Sequence, residues 1–370
     1  MRQGSRLVGA SQALTRTART FAATLRPDGY HGDYQGDVGF FEGWYIKLVS
    51  ADRSARLAII PGIFRAGHGG SEGGSGGSEA GPGGSEADRA PDEAFVQVLD
   101  GVTGESWYEQ FPTEAFAADP KVFDVTVGAN RFGAGGIDLD LPASSLRGQV
   151  RFTTPLEPWP VTLASPGVMG RYAWAPVMEC YHGVVSLDHG LEGTLTLGGR
   201  EMVFDGGRGY LEKDWGRAFP AAYVWMQSNH FGTPGVSLSA SIATIPWRRS
   251  RFRGFIVGLR IPRPDGTAAL HRFATYTGAR TASLEVDDAE VRWTLRGRSG
   301  AELRLRAERR RGGLLHAPIR TQMHRRVEET LDARVHVELV SPRGRLAFAE
   351  TGEAAGLEVH GDLEDLLALG

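Results

Sequence analysis

Glu212, Lys213 and Asp214 stand in a row before Trp215, and a stretch rich in aromatics and amides follows. On an extended backbone successive side chains alternate, so Glu212 and Asp214 share a face. Two carboxyls in one apolar setting can divide into proton donor and proton acceptor. Alternatively, they form with Lys213 a salt-bridge network that closes a turn. Downstream, Tyr223, Trp225, Gln227 and Asn229 alternate with Val224, Met226, Ser228 and His230. The first set combines aromatic area with hydrogen-bonding amides, as the wall of a ligand pocket does. It equally suits a core face whose amides are satisfied internally.

Two further stretches carry candidate chemistry. In 40–46 (FFEGWYI), Phe40, Glu42, Trp44 and Ile46 share one face of a strand. An acid set between large aromatics loses solvation, which raises its pKa and suits it to give up a proton near neutrality. The other reading is a buried Glu42 that pairs with a cation and only holds the fold together. In 176–183 (PVMECYHG), Glu179 and Tyr181 take one face of a strand, Cys180 and His182 the other. Histidine is the usual acid or base at neutral pH, though a structural His bonded to a carbonyl fits as well. A zinc site would need further His or Cys ligands nearby, and the sequence places none there.

Period-2 alternation recurs along the chain and marks the elements that must hold these groups. Leu303, Leu305 and Ala307 alternate with charged residues, as do Val335, Val337 and Leu339. Hairpins are predicted over Thr194–Leu197 and Arg200–Phe204, and over Leu284–Val286 and Val291–Leu295. Further strands are predicted at Phe41–Val49, Arg56–Ile60, Phe95–Leu99, Val122–Val127, Val236–Ala243, Phe252–Leu259 and Leu270–Tyr276. Helical candidates are few: the leader, Pro112–Ala118 and Leu363–Leu369. Many short strands separated by Gly, Pro and Asp turns predict an all-β barrel or sandwich.

The 370 residues suffice for about two domains. Residues 1–26 hold no acid and read as a disordered or basic leader, with no apolar signal core. Residues 66–90 are a Gly-rich insertion, expected to be a flexible loop. The Pro-rich stretch 155–176 suggests a boundary, giving domains 27–165 and 166–370. A net charge of -3 gives no reason to expect nucleic acid. Arg304, Arg306 and Arg309–Arg311 allow peripheral contact with anionic headgroups, although a solvated face is the plainer reading. One cysteine, Cys180, excludes an intrachain disulfide and suits the cytoplasm.

FFEGWY at 40–45, Pro61-Gly62-Ile63, Glu212-Lys213-Asp214-Trp215-Gly216, Phe219-Pro220 and the Trp225 to Asn229-His230-Phe231 stretch resemble the tocopherol cyclase family, on its bacterial side. Asp214 stands where plant members carry an amide. The resemblance implies two lipocalin-like β-barrels packed together and a reaction without a cofactor. A prenylated hydroquinone would close its phenol oxygen onto the trisubstituted alkene of its tail, giving a chromanol. Glu42 or Glu212 would protonate the alkene, and Asp214 or His182 would take the phenol proton. Trp44, Trp215 and Trp225 would stabilise the cation, and Gln227 and Asn229 would orient the head, with Glu179 and Tyr223 completing the wall. The competing expectations are an isoprenoid hydratase and a non-catalytic lipid carrier.

Overall fold

The computed structural model describes residues 21–32, 39–66, 91–176, 178–247, 250–319 and 322–369. Nearly all of the Gly-rich insertion and most of the leader lie outside them. The described residues form two antiparallel sheets, of 12 and 10 strands. The predicted all-β class therefore holds.

The first sheet runs from Ser106–Phe111 at one edge through Glu93–Asp100, Arg56–Arg65, Phe40–Val49, Arg208–Gly216, Cys180–Leu197 and Leu146–Phe152. It continues through Gly136–Leu141, Asn130–Gly133 and Asp124–Val127 to Phe116–Ala118. The second runs from Ala268–Ala274 through Ser250–Pro262, Ser237–Trp247, Ala222–Ser228, Leu346–Gly361, Gln322–Val340, Glu302–Glu308 and Glu290–Arg296 to Arg280–Val286. Each sheet curls around its own apolar core, but the edge strands of neither are hydrogen-bonded to each other among the described residues. The barrels that the sequence suggested are thus open ones.

Alternation explains most of this. In Phe40–Val49 the even-numbered Trp44, Ile46 and Leu48 enter the first core, against Val96, Val98 and Phe132. The odd-numbered Phe41 and Tyr45 face the second sheet. Both predicted hairpins form, with Leu197 opposite Arg200 and Val286 opposite Val291. Leu363–Ala368 is helical. Pro112–Ala118 is not: a 3-10 turn at Thr113–Ala115 leads into the edge strand Phe116–Ala118. Too few residues there bury an apolar stripe to sustain a helix.

The chain passes from one sheet to the other between Gly216 and Ala222, beyond the expected boundary at 165/166. The Pro-rich stretch is instead a strap across both sheets. Trp159 is fully buried in it, and its backbone N–H donates to the Val184 carbonyl of the first sheet (3.1 Å). Its indole lies on Gly258 of the second, where an added Cβ would sit 2.2 Å from the ring. We expect Gly258→Ala to cost about 1–3 kcal/mol by overpacking, read as a lower urea midpoint. An unchanged midpoint would mean that the strap does not press on the second sheet.

Polar bonds tie the sheets together. Buried Lys47 donates to Gln227 Oε1 (2.7 Å) and the Ala354 carbonyl (2.6 Å). Tyr45 donates to Glu329, and Asn229 Nδ2 donates to the Gly209 carbonyl (2.9 Å). Of the arginine stripe, Arg304 pairs with Glu302 and Glu338, Arg306 with Glu290, and Arg310 with Glu308. No helix among the described residues is long and apolar enough to cross a membrane.

Candidate active site

A cleft opens between the two sheets, under the strap. It encloses about 1420 Å³ counted out to its open mouth. Most of its lining is apolar, including Phe41, Phe95, Met169, Phe252, Leu315 and Val327. His182, Glu212 and Asp214 enter from the first sheet, and Tyr223, Trp225 and Glu358 from the second.

The first three groups form a chain of contacts. His182 lies opposite Asp214 in the strand register, and its Nδ1 is 2.8 Å from Asp214 Oδ1. Its Nε2 is 3.4 Å from Glu212 Oε2. The same Glu212 oxygen accepts from Tyr210 Oη and from Trp225 Nε1 (3.2 Å). Alternation places Glu212 and Asp214 on one face and turns Lys213 to the other, as the sequence predicts.

Electrostatics separates these groups. Burial lowers the pKa of His182, but Asp214 and Glu212 outweigh it and hold the imidazole up at about 9. Burial raises Glu212; His182 opposes this and Asp214 adds to it, and the carboxyl settles at about 7. Glu358 is pushed up to about 8 by burial, against the hydrogen bond from Tyr223 and with help from Glu212 and Asp214. Near neutrality the cleft therefore holds an imidazolium and two carboxyls that retain much of their proton. Donor atoms of His182, Glu212 and Asp214 lie within 4.8 Å of one another, so these residues could also hold a cation.

Glu42 lies across the sheet from the cleft. It is fully buried, with Oε1 2.6 Å from Lys213 Nζ, and both its oxygens accept from the His31 backbone N–H (2.9 Å). Burial raises its pKa, but Lys213 and His31 together outweigh burial and hold it below the usual carboxylate range. It is an ionised partner of Lys213. Trp44 and Trp215 sandwich that ammonium, at 4.9 and 4.8 Å from the ring centroids. They flank an ion pair and do not line the cleft. Gln227 and Asn229 serve as the ties between sheets described above. Glu179 is absent from the lining; its carbonyl accepts from the Arg217 backbone N–H (2.7 Å).

That turn explains the glycine after Trp215. Gly216 has φ +146°, and an added Cβ would sit 2.2 Å from the Glu179 carbonyl. Gly216→Ala should therefore cost about 1–3 kcal/mol through backbone strain. A thermal melt would measure this, and an unshifted Tm would show that the turn relaxes freely.

Several cleft and support residues escaped the sequence reading. Glu358 and Glu329 sit in ordinary alternating runs near the C-terminus, and only cross-strand register brings them beside Trp225 and each other. Tyr45 was legible as the neighbour of Trp44 on the opposite face. His31 lies in an irregular stretch that carries no periodic signal.

The tocopherol cyclase-like family profile matches residues 38–361. The chain belongs to the tocopherol cyclase-like family. No curated protein matches it by sequence. Among solved structures, a candidate AttH from Nitrosomonas europaea is similar at 14% identity, with a TM-score of 0.50 over 89% of this chain and 94% of that one. CghA crystallised with Sch210972 is similar at 15% identity and TM-score 0.48, over 87% of this chain and 89% of that one. The AttH likeness, at so low an identity, concerns the fold alone. The tocopherol cyclase-like profile spans both sheets and the cleft between them, including the stretches that carry Glu212, Asp214 and Glu358.

Proposed function

We propose that this tocopherol cyclase-like protein closes a prenylated hydroquinone to a chromanol, with Glu212 as the acid. The observation that carries the reading is the chain Glu212–His182–Asp214 opening into an apolar, aromatic-lined cleft. The reaction is an isomerisation, so each proton given to the tail must be recovered from the phenol. Glu212 transfers its carboxyl proton to the less substituted alkene carbon, leaving a tertiary cation beside the ring faces of the cleft. The phenol oxygen attacks the cation, forming the C–O bond, and its proton passes to the Asp214 carboxylate. His182 lies between the two acids: Nε2–H of the imidazolium reprotonates Glu212, leaving a neutral imidazole whose Nδ1–H stays bonded to Asp214. The phenol proton held by Asp214 returns to Nε2 through solvent at the cleft mouth, which restores the starting state without net loss or gain.

The test is product analysis after incubation with a hydroquinone carrying a prenyl tail. A chromanol has the mass of its substrate and lacks one phenolic O–H. A product heavier by one water would make the protein a hydratase. Substrate recovered unchanged from a bound complex would make it a carrier. Turnover should survive treatment with a chelator. Loss of turnover, restored by a divalent cation, would reassign the three residues as metal ligands.

A further inference from the structure

Every residue of the strand Phe40–Val49 is buried except Gly43. The strand lies in the middle of the first sheet, and Gly43 lines the cleft between Phe41 and Tyr45, so solvent reaches its backbone through the cleft. Glycine inside a strand weakens it, and marks a bulge, a special backbone conformation or a surface that something approaches closely. The first two causes do not apply. Pairing with Arg208–Gly216 and with Arg56–Arg65 runs past Gly43 without a shift of register, and its φ lies outside the left-handed region. Nor does protein fill the space. An added Cβ would meet Ile60 Cγ2 at 3.6 Å, the Pro61 carbonyl oxygen at 3.7 Å and Phe95 Cζ at 3.9 Å, all ordinary contact. Gly62 differs: a Cβ there would sit 2.5 Å from the Phe95 ring.

Across the strands one row reads His182, Asp214, Gly43, Gly62 and Phe95, and residues in one row point to one face. The Phe95 ring covers Gly62, so the floor is bare only at Gly43, between Asp214 and the edge of that ring. Glu212 stands opposite Tyr45, two residues along on the same face. We propose that the bare floor over Gly43 seats a planar aromatic head group, laid flat on the backbone with its phenol oxygen toward Asp214. The inference rests on the cleft being the ligand site of the proposed cyclase, but not on turnover. A ring laid flat gains contact from every atom it covers, and a methyl group in the floor lifts it off. The tail is left to the opposite wall, where Trp225 stands.

The experiment measures binding of 4-octylphenol and 1-octanol, which share a tail and carry no alkene. Tryptophan fluorescence reads it, with Trp225 in the cleft as reporter. Gly43→Ala should weaken octylphenol at least about fivefold and Gly43→Val further, while octanol changes by less than about twofold. The urea midpoint of Gly43→Ala should hold or rise, because alanine restricts the unfolded chain and its Cβ has room. Fold and ligand thus make opposite demands at this position. A clearly lower midpoint for Gly43→Ala would mean that the glycine serves the backbone, and would overturn the proposal. So would octylphenol binding that neither variant weakens, equal losses for the two probes, or an unaltered protein that does not bind octylphenol. Neither probe can cyclise, so the two readings fail separately. A protein that seats octylphenol over Gly43 yet forms no chromanol loses the cyclase reading and keeps this one. One that forms chromanol but binds octylphenol without regard to Gly43 does the reverse.

Discussion

Glu212→Gln is expected to lower kcat for ring closure by about 10²–10⁴-fold while leaving the fold intact. The amide has the shape of the acid, and its carbonyl can still accept from Tyr210 and Trp225, which bond one oxygen of Glu212. Only the transferable proton is lost. The melting temperature should therefore hold while turnover collapses. The pH profile follows from the same group. Glu212 must carry its proton to act, and burial beside Asp214, tempered by His182, sets its carboxyl at about 7. Turnover should fall as pH rises through about 7. A Glu212→Gln enzyme with undiminished turnover would remove Glu212 from the chemistry.

Glu42 should behave in the opposite way. Glu42→Ala leaves the Lys213 ammonium fully buried without its carboxylate, and breaking a buried pair from one side costs about 3–5 kcal/mol. The variant also leaves the His31 backbone N–H without its acceptor. Urea denaturation should show this as a much lower midpoint, whereas molecules that remain folded should keep their turnover, because Glu42 lies behind the sheet from the cleft. A midpoint equal to that of the unaltered protein would show that Lys213 sheds its proton and relaxes. Loss of turnover without loss of stability would return Glu42 to the list of acids.

These two glutamates show where sequence reasoning runs out. Alternation identifies strands and sorts their faces, so Glu212 and Asp214 are read together from local pattern and Tyr223 and Trp225 share a face, the one that lines the cleft; His182 reaches Asp214 only through strand register. Pattern does not say what each face meets. Glu42 and Glu212 both sit among aromatics, and only the pairing of Phe40–Val49 with Arg208–Gly216 gives one of them a lysine. Lys213 is adjacent to both acids of the site in sequence yet belongs to the other face. Gln227 and Asn229 continue the alternation of Trp225, but the strand carries them past the cleft to Lys47 and Gly209. Glu358 has no local mark at all: its role depends on register with a strand far away in the chain. The strap was legible as irregular from its prolines, but its buried tryptophan bridging two sheets was not.

The two walls of the cleft stand on separate sheets, joined by a buried apolar seam that includes Tyr45, Leu99, Tyr210, Trp225 and Leu331 and by polar ties such as Lys47 to Gln227 and Asn229 to Gly209. The distance between Glu212 on one wall and Glu358 on the other is therefore set by how one half is seated on the other. A small rocking of the halves would carry a different carbon of the tail to the acid. Under the proposed reaction, ring size would then be adjustable at a distance, by changing the residues that seat one half on the other.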